Sequence, residues 1–129
     1  MNKLLLSLLL VVGLSGCKTT HPLYNADSQL AVTNVSNAIM SKSIVSALHY
    51  KGWKVLSKTD NEIIGTINVR SHYAKIKINF DGEKYTIKHM ESTNLDYNAA
   101  KQGIHRNYNR WIKMLEAEIS RSAEIATSN

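Results

Sequence analysis

Residues 53–92 alternate apolar and polar side chains in four successive runs, and this period of two most constrains the fold. Such alternation is typical of strands that bury one face of a sheet and expose the other. Short polar turns separate the runs at residues 60–61, 71–72 and 81–82, and the Asp-Gly pair of the last turn is a strong hairpin signal. We therefore predict four antiparallel strands in a meander, with one apolar face and one polar, basic face.

Helical periodicity flanks these runs on both sides. Residues 36–51 place apolar side chains on one stripe, with Ser36 as a suitable N-cap and Gly52 where a helix would end. Residues 103–121 carry a longer apolar stripe at helical spacing, formed by Ile104, Tyr108, Trp111, Ile112, Leu115 and Ile119. The sequence thus predicts an α+β fold of two layers, a four-stranded antiparallel meander with two helices on one face, in the order α-β-β-β-β-α.

The amino-terminal residues have the features of a secretory signal. Lys3 precedes an apolar run at residues 4–14, and small residues then lead to Cys17, the single cysteine. This run is too short to span a bilayer as a helix, which takes about 20 residues. We therefore expect residues 1–16 to be a cleaved signal peptide.

The sequence Leu-Ser-Gly-Cys at positions 14–17 resembles the lipobox of bacterial lipoproteins. The resemblance implies a diacylglycerol on the sulfur of Cys17, cleavage before it, and acylation (palmitate) of the new amino group. In enterobacterial-type sorting an aspartate after the cysteine favours the inner membrane, so Lys18 implies an outer-membrane lipoprotein, which we expect to face the periplasm. The one thiol would carry the lipid, so the mature chain would contain no disulfide.

The remaining chain has the size of one domain. Residues 17–34 show no apolar period and include the only proline, Pro22, so we predict a lipid-anchored tether there. We predict the folded domain over residues 35–122 and a flexible tail over residues 123–129.

A group of cations on the polar sheet face is the first candidate site. The whole chain has a formal charge of +6, and outside the cytoplasm the available polyanions are anionic glycolipid and peptidoglycan rather than nucleic acid. The alternation places on one face the cations Lys54, Lys58, Arg70, Lys75, Lys77 and Lys88, with no acidic residue between them inside the strands. They would form a binding surface for an anionic glycolipid or envelope protein, or a solvated face that prevents sheet association. The apolar side chains predicted on the same face, which could contact a partner protein or a second copy, are Leu56, Ile64 and Met90.

Polar groups around the last helix form the alternative site. Its members are Asn94, Tyr97, His105, Tyr108 and Asn109. They would line a small-ligand pocket at one end of the sheet, or serve structural roles as caps and partners of buried carbonyls. The five histidines lack the spacing of a metal site, and convergence of two of them in the fold would be needed for one.

Several segments also resemble a family of small bacterial envelope lipoproteins to which no activity is assigned. They are Gly-Trp at 52–53, Arg-Ser-His at 70–72, and residues 92–97 and 104–112. The likeness covers roughly residues 36–119, agrees with the α-β-β-β-β-α order, and implies no reaction or cofactor. No catalytic motif appears in the sequence. We therefore expect a non-enzymatic lipoprotein that acts as an interaction or structural module, with a small-ligand or metal-binding lipoprotein as the alternative.

Overall fold

The computed structural model describes residues 18–128. The predicted signal peptide and the predicted acylation site, Cys17, lie outside the described residues. Over these residues the fold is α+β, as predicted, with two helices and two antiparallel sheets. Its elements are β1 (Thr20–Pro22), β2 (Ala26–Gln29), α1 (Asn37–Tyr50), β3 (Lys54–Lys58), β4 (Glu62–Val69), β5 (His72–Asp81), β6 (Lys84–Thr93), β7 (Gly103–His105) and α2 (Arg106–Thr127).

The four predicted strands are present as the antiparallel meander β3-β4-β5-β6. Two-residue turns join β4 to β5 and β5 to β6. Arg70 in the first turn has φ 56°, and Gly82 in the second has φ 57°. Glycine reaches this left-handed region without a steric penalty, which explains the Asp-Gly signal.

The sheet has a fifth strand, so the prediction of a four-stranded sheet is wrong in this detail. β2 pairs antiparallel with β6 and gives the order β2-β6-β5-β4-β3. Ala26 of β2 is paired with Ile87 and is buried, as is Leu30 just after the strand. The added strand satisfies backbone groups on the edge of β6 that would otherwise need solvent.

Two segments predicted to be flexible are therefore folded. Within the predicted tether, β1 pairs with β7, and the amide of Leu23 donates to the carbonyl of Gln102 at 2.7 Å. At the other end, α2 continues through the predicted tail to Thr127, because Ala123 is fully buried. The packed domain is longer than periodicity indicated at both ends.

The first helix matches its prediction closely. Ser36 is the N-cap of α1, and its hydroxyl accepts a hydrogen bond from the amide of Ile39 at 3.2 Å. Gly52 follows the helix with φ 84°, the left-handed conformation predicted there. Such caps typically contribute about 1 kcal/mol.

Both helices pack on one face of the large sheet. A single core cluster contains buried residues of α1 and α2 together with one alternate set of strand residues. One cross-strand row of this set runs through Ala26, Ile87, Ile78 and Ile63. A β-carbon added at Gly65 would lie 3.2 Å from Leu48 Cδ2, so the missing side chain lets α1 approach the sheet closely.

Candidate functional site

The face of the sheet opposite the helices, called the open face below, carries most of the predicted cations. The strand register aligns Lys54 with Thr66 and Lys75, and Ile64 with Lys77 and Lys88. Ile64 is only 7% exposed yet lies outside the core cluster, so its own neighbours on the open face cover it. The structure therefore brings together four of the predicted cations on one surface, Lys54, Lys75, Lys77 and Lys88.

Two predicted cations lie elsewhere. Arg70 is in the turn between β4 and β5 rather than within a strand. Lys58 pairs with Ile63, a core residue, and lines a groove beside α1 with Ser41 and Lys42. The placement of Lys58 on the open face is wrong because β3 contains a bulge between Val55 and Ser57, and one extra residue reverses the faces of those that follow.

Carboxylates also occupy the open face, contrary to the expectation from the sequence. Glu62 begins β4, and its Oε2 lies 3.9 Å from Lys77 Nζ. Glu91 is paired with Lys75 across β5 and β6. By register, Asp27 and Asp81 belong to the same face, as does one further lysine, Lys84. The open face is thus of mixed charge rather than simply basic.

Two large apolar side chains accompany these charges. Leu56 and Met90 are the extra residues at the register shifts of β3 and β6, and they are 60% and 42% exposed. A bulge interrupts regular pairing and re-aims the side chain it carries. Leu56 and Met90 therefore add apolar area that water, rather than protein, contacts in the described part of the chain.

The second predicted group is divided into separate clusters. The first cluster contains His89, whose ring centroid lies 4.1 Å from that of Tyr97 and 5.4 Å from that of Tyr108. His89 pairs with Ile76 and so belongs to the helix-facing row of the sheet. Its Nε2 lies 2.8 Å from Ser92 Oγ. Burial lowers the pKa of His89, because the charged imidazolium loses hydration there.

Tyr108 contributes an unusual group to this cluster. Its side chain is fully buried, and its hydroxyl has no hydrogen-bond partner among the described residues. Burial, with a further contribution from Tyr97, raises the pKa of Tyr108. The phenol is therefore neutral, and its hydroxyl is a buried donor to which the described residues offer no acceptor.

The second cluster consists of two histidines and a tryptophan. The rings of His72 and His105 are stacked with centroids 6.1 Å apart, and Trp111 lies 6.4 Å from His72. His72 Nδ1 lies 2.6 Å from the carbonyl oxygen of Asn94, to which it donates, and His105 Nδ1 accepts from the amide of Asn107 at 3.1 Å. These contacts hold the loop after β6 and cap α2. The Nδ1 atom of His105 and the carbonyl oxygen of Asn94 therefore have structural roles.

Asn109 is also engaged by the fold. Its Oδ1 accepts from the amide of Tyr24 at 3.0 Å, and its Nδ2 donates to the carbonyl of Pro22 at 2.9 Å. Both bonds hold the amino-terminal segment against α2. Asn109 therefore has the structural role that the sequence left open, and it also borders a groove beside α2.

A basic groove was not predicted from the sequence. It lies between β1 and α2, has a volume of about 470 Å³, and is lined in part by His21, Arg106, Asn109, Arg110, Lys113 and Met114. The signal for it was present in the spacing of Arg106, Arg110 and Lys113, which puts three cations on one side of a helix. We refer to it as the α2 groove.

Three further observations bear on the site. Within residues 18–128, no three His, Cys, Asp or Glu side chains are placed to hold a metal ion. None of the helices described over the same range is long and apolar enough to cross a membrane. Comparisons of the chain with protein-family models, with curated proteins and with solved structures find no match.

Proposed function

We propose that this protein is a non-enzymatic, lipid-anchored envelope protein whose open face binds a protein partner. The lipid anchor is supported by the signal sequence and by the Leu-Ser-Gly-Cys at positions 14–17. Two or three acyl chains on Cys17 would hold the molecule durably, whereas one chain would not. Lys18 after the cysteine supports an outer-membrane location, with the domain in the periplasm.

The open face is the observation that carries the interaction role. Both helices cover the opposite side of the sheet, and no described element covers this one. Its lysines and carboxylates are interspersed, and Leu56 and Met90 expose apolar area at the two bulges of the sheet. A surface of both charge signs with apolar side chains fits a protein better than a uniform polyanion, which would be repelled by Glu62 and Glu91.

The non-enzymatic role is supported by the sequence, in which no catalytic motif appears. The side chains best suited to proton transfer at the loop end of the sheet are His72 and His105. Each uses its Nδ1 in a bond that fixes the fold.

Site-specific crosslinking in cells tests the proposal. A photoreactive amino acid at Thr66, in the middle of the open face, should capture a single protein, whereas one at exposed Ser46 on α1 should not. The double change Lys75→Glu and Lys77→Glu should abolish capture. The matched control is Lys42→Glu with Lys58→Glu, which alters net charge equally on the helix side of the sheet and should leave capture intact.

Other outcomes contradict the proposal in distinguishable ways. Capture of glycolipid or peptidoglycan by position 66 would replace the protein partner with a polyanion. Equal capture from positions 46 and 66 would remove the role of the open face. The anchor is tested separately, because palmitate should label the natural chain and not Cys17→Ser.

A small-ligand function is the second candidate, and the unpartnered hydroxyl of Tyr108 is the observation that favours it. A bound molecule could accept the hydrogen bond that the described residues do not. Native mass spectrometry of the purified protein would then show an added mass that Tyr108→Phe removes. Metal analysis of the natural chain beside His89→Ala and His105→Ala tests the metal-binding form of this candidate.

A further inference from the structure

The α2 groove is lined by several cations, and none of them forms an ion pair with a carboxylate in the described part of the chain. Among residues 18–128 the only ion pairs within 4.0 Å are Lys77 with Glu62 and Arg121 with Glu118, so Arg106, Arg110 and Lys113 are unpaired there. Glu116 is on the same helix and accepts from the hydroxyls of Tyr24 and Ser28, so it keeps its negative charge, but it forms no ion pair within 4.0 Å with these cations. The three cations outnumber this one carboxylate, so the groove carries an excess of positive charge.

The cations lie on the side of α2 that faces away from the sheet. Residues 106, 110, 113 and 117 are each two positions before the buried residues 108, 112, 115 and 119. Two positions correspond to about 200° of helix rotation, so the two stripes are on opposite sides of the helix. The groove and the open face are thus on opposite sides of the molecule.

The groove also adjoins the point where the anchor would be attached. The amide of Arg106 donates to the carbonyl of Thr19 at 2.8 Å. Cys17 is two residues before Thr19, and two residues of chain span at most about 7 Å. Any lipid on Cys17 therefore holds the bilayer surface close to the first turn of α2.

The groove has features suited to a lipid surface. Lys113 Nζ lies 5.2 Å from the centroid of the Tyr24 ring, a cation–π contact that keeps it at the groove. Met114 is 45% exposed and offers an apolar side chain beside the cations. An adjoining groove, which shares His21, adds Lys18 and Lys101 with a single carboxylate, Asp96.

We infer that the α2 groove binds the phosphates of anionic phospholipid head groups in the membrane that holds Cys17. Arginine guanidinium groups bind phosphate in a bidentate manner, so Arg106 and Arg110 would be the main contacts. Docking on this side turns the open face away from the bilayer. The inference rests on the proposed lipid anchor and adds an orientation to it.

Fluorescence quenching on vesicles tests this inference with the lipidated full chain. Cys17 carries the lipid, so a new cysteine in Ala117→Cys, at the groove, or Thr66→Cys, on the open face, is the only thiol to label. A head-group quencher in vesicles of phosphatidylglycerol and phosphatidylcholine should quench the label at position 117 and not that at 66. Phosphatidylcholine alone, or salt near 0.5 M, should remove the difference, because salt screens these contacts.

Charge reversal tests whether the cations of the groove are the cause of docking on the vesicles. The triple change Arg106→Glu, Arg110→Glu and Lys113→Glu should lower the ratio of docked to undocked protein by about tenfold or more. The matched control, Lys42→Glu with Lys54→Glu and Lys58→Glu, has the same net charge and should dock normally. If the reversal prevents folding, the corresponding three changes to Gln should still reduce docking measurably.

Equal quenching at positions 117 and 66, or normal docking by the triple variants, would overturn the inference. Palmitate labelling separates this failure from failure of the proposed function. If the chain takes up palmitate but the label at position 117 is not quenched, only the proposed orientation is contradicted. If the chain takes up no palmitate, the proposed lipid anchor is contradicted as well.

Discussion

At the scale of single residues, His89 has the environment most sensitive to pH. It lies in the helix-facing row of the sheet against Tyr97 and Tyr108, and burial lowers its pKa. In the unfolded chain an imidazole binds a proton near pH 6.5, whereas the folded protein accepts it only at lower pH. The free energy of unfolding should therefore fall as pH drops below about 6.5, by at most about 1.4 kcal/mol per pH unit, until the folded pKa is passed.

The substitution His89→Gln should remove this loss while keeping a partner for Ser92. Urea unfolding between pH 7.5 and pH 4.5, in intervals of about half a unit, compares the variant with the natural chain. His49→Gln, on the exposed side of α1, is the matched control. Parallel pH curves for the natural chain and His89→Gln would show that His89 is not responsible.

Tyr108 supports a second prediction at this scale. Its hydroxyl is buried without a described partner, and an unsatisfied buried polar group costs about 1–3 kcal/mol. Tyr108→Phe should thus leave stability unchanged or raise it by up to about 1 kcal/mol. Tyr108→Ala should instead lower it by about 3–5 kcal/mol, since it leaves a large cavity. Denaturant unfolding measures both, and a clear loss in Tyr108→Phe would mean that the hydroxyl has a partner.

At the scale of elements, the amino-terminal strands belong to the folded domain. β2 brings Ala26 into the core, and the hydroxyls of Tyr24 and Ser28 both donate to Glu116 of α2. A chain that begins at residue 35, the boundary predicted from the sequence, also loses Leu30, and burying one such side chain contributes about 1.5–3 kcal/mol. It should be several kcal/mol less stable than a chain that begins at residue 18.

Thermal and urea unfolding of the two chains measure this difference. A chain that ends at residue 124 is a useful control, because the residues it lacks are mostly exposed. Equal stability of the chains beginning at residues 18 and 35 would contradict the assignment of β2 to the domain.

The sequence predicted the elements whose signals are local. Ser36, Gly52 and Gly82 each specify a cap or turn by their own chemistry, and both apolar stripes were long enough to be read as helices. β2 was missed because four residues with one buried position give no period, and its place is decided by the free edge of β6. Such a decision depends on contacts between distant parts of the chain, which periodicity does not report.

The dependence on contacts between distant parts of the chain also explains which residues of the candidate site were predicted correctly and which were not. Alternation correctly grouped Lys75, Lys77 and Lys88, but it ignored the bulge that turns Lys58 away and the register that brings Glu91 beside Lys75. The three cations of the α2 groove were visible as a spacing in the sequence. That they line a groove is evident only from the fold, in which β1 lies beside α2.

At the scale of the whole molecule, the proposals place the membrane at the α2 groove and the protein partner at the open face, on opposite sides of the domain. In the proposed arrangement the groove faces the bilayer, and the open face is directed away from it. The backbone is hydrogen-bonded to the domain from Thr19 onwards, so Lys18 is the one residue between Cys17 and the part of the chain that is held by the fold. A short connection keeps the groove at a high effective concentration near the lipid, which strengthens weak electrostatic contacts.

Lengthening this connection should weaken docking without affecting the partner. A flexible Gly/Ser insert of about ten residues between Lys18 and Thr19 lowers the effective concentration. The label at position 117 should then lose quenching at about 0.15 M salt and regain it when the salt is lowered. Capture from position 66 should persist, since the open face is unchanged. The insert in the chain with Arg106→Glu, Arg110→Glu and Lys113→Glu is the control and should add no further loss. Unchanged quenching in the lengthened chain would show that proximity to the anchor does not contribute to docking.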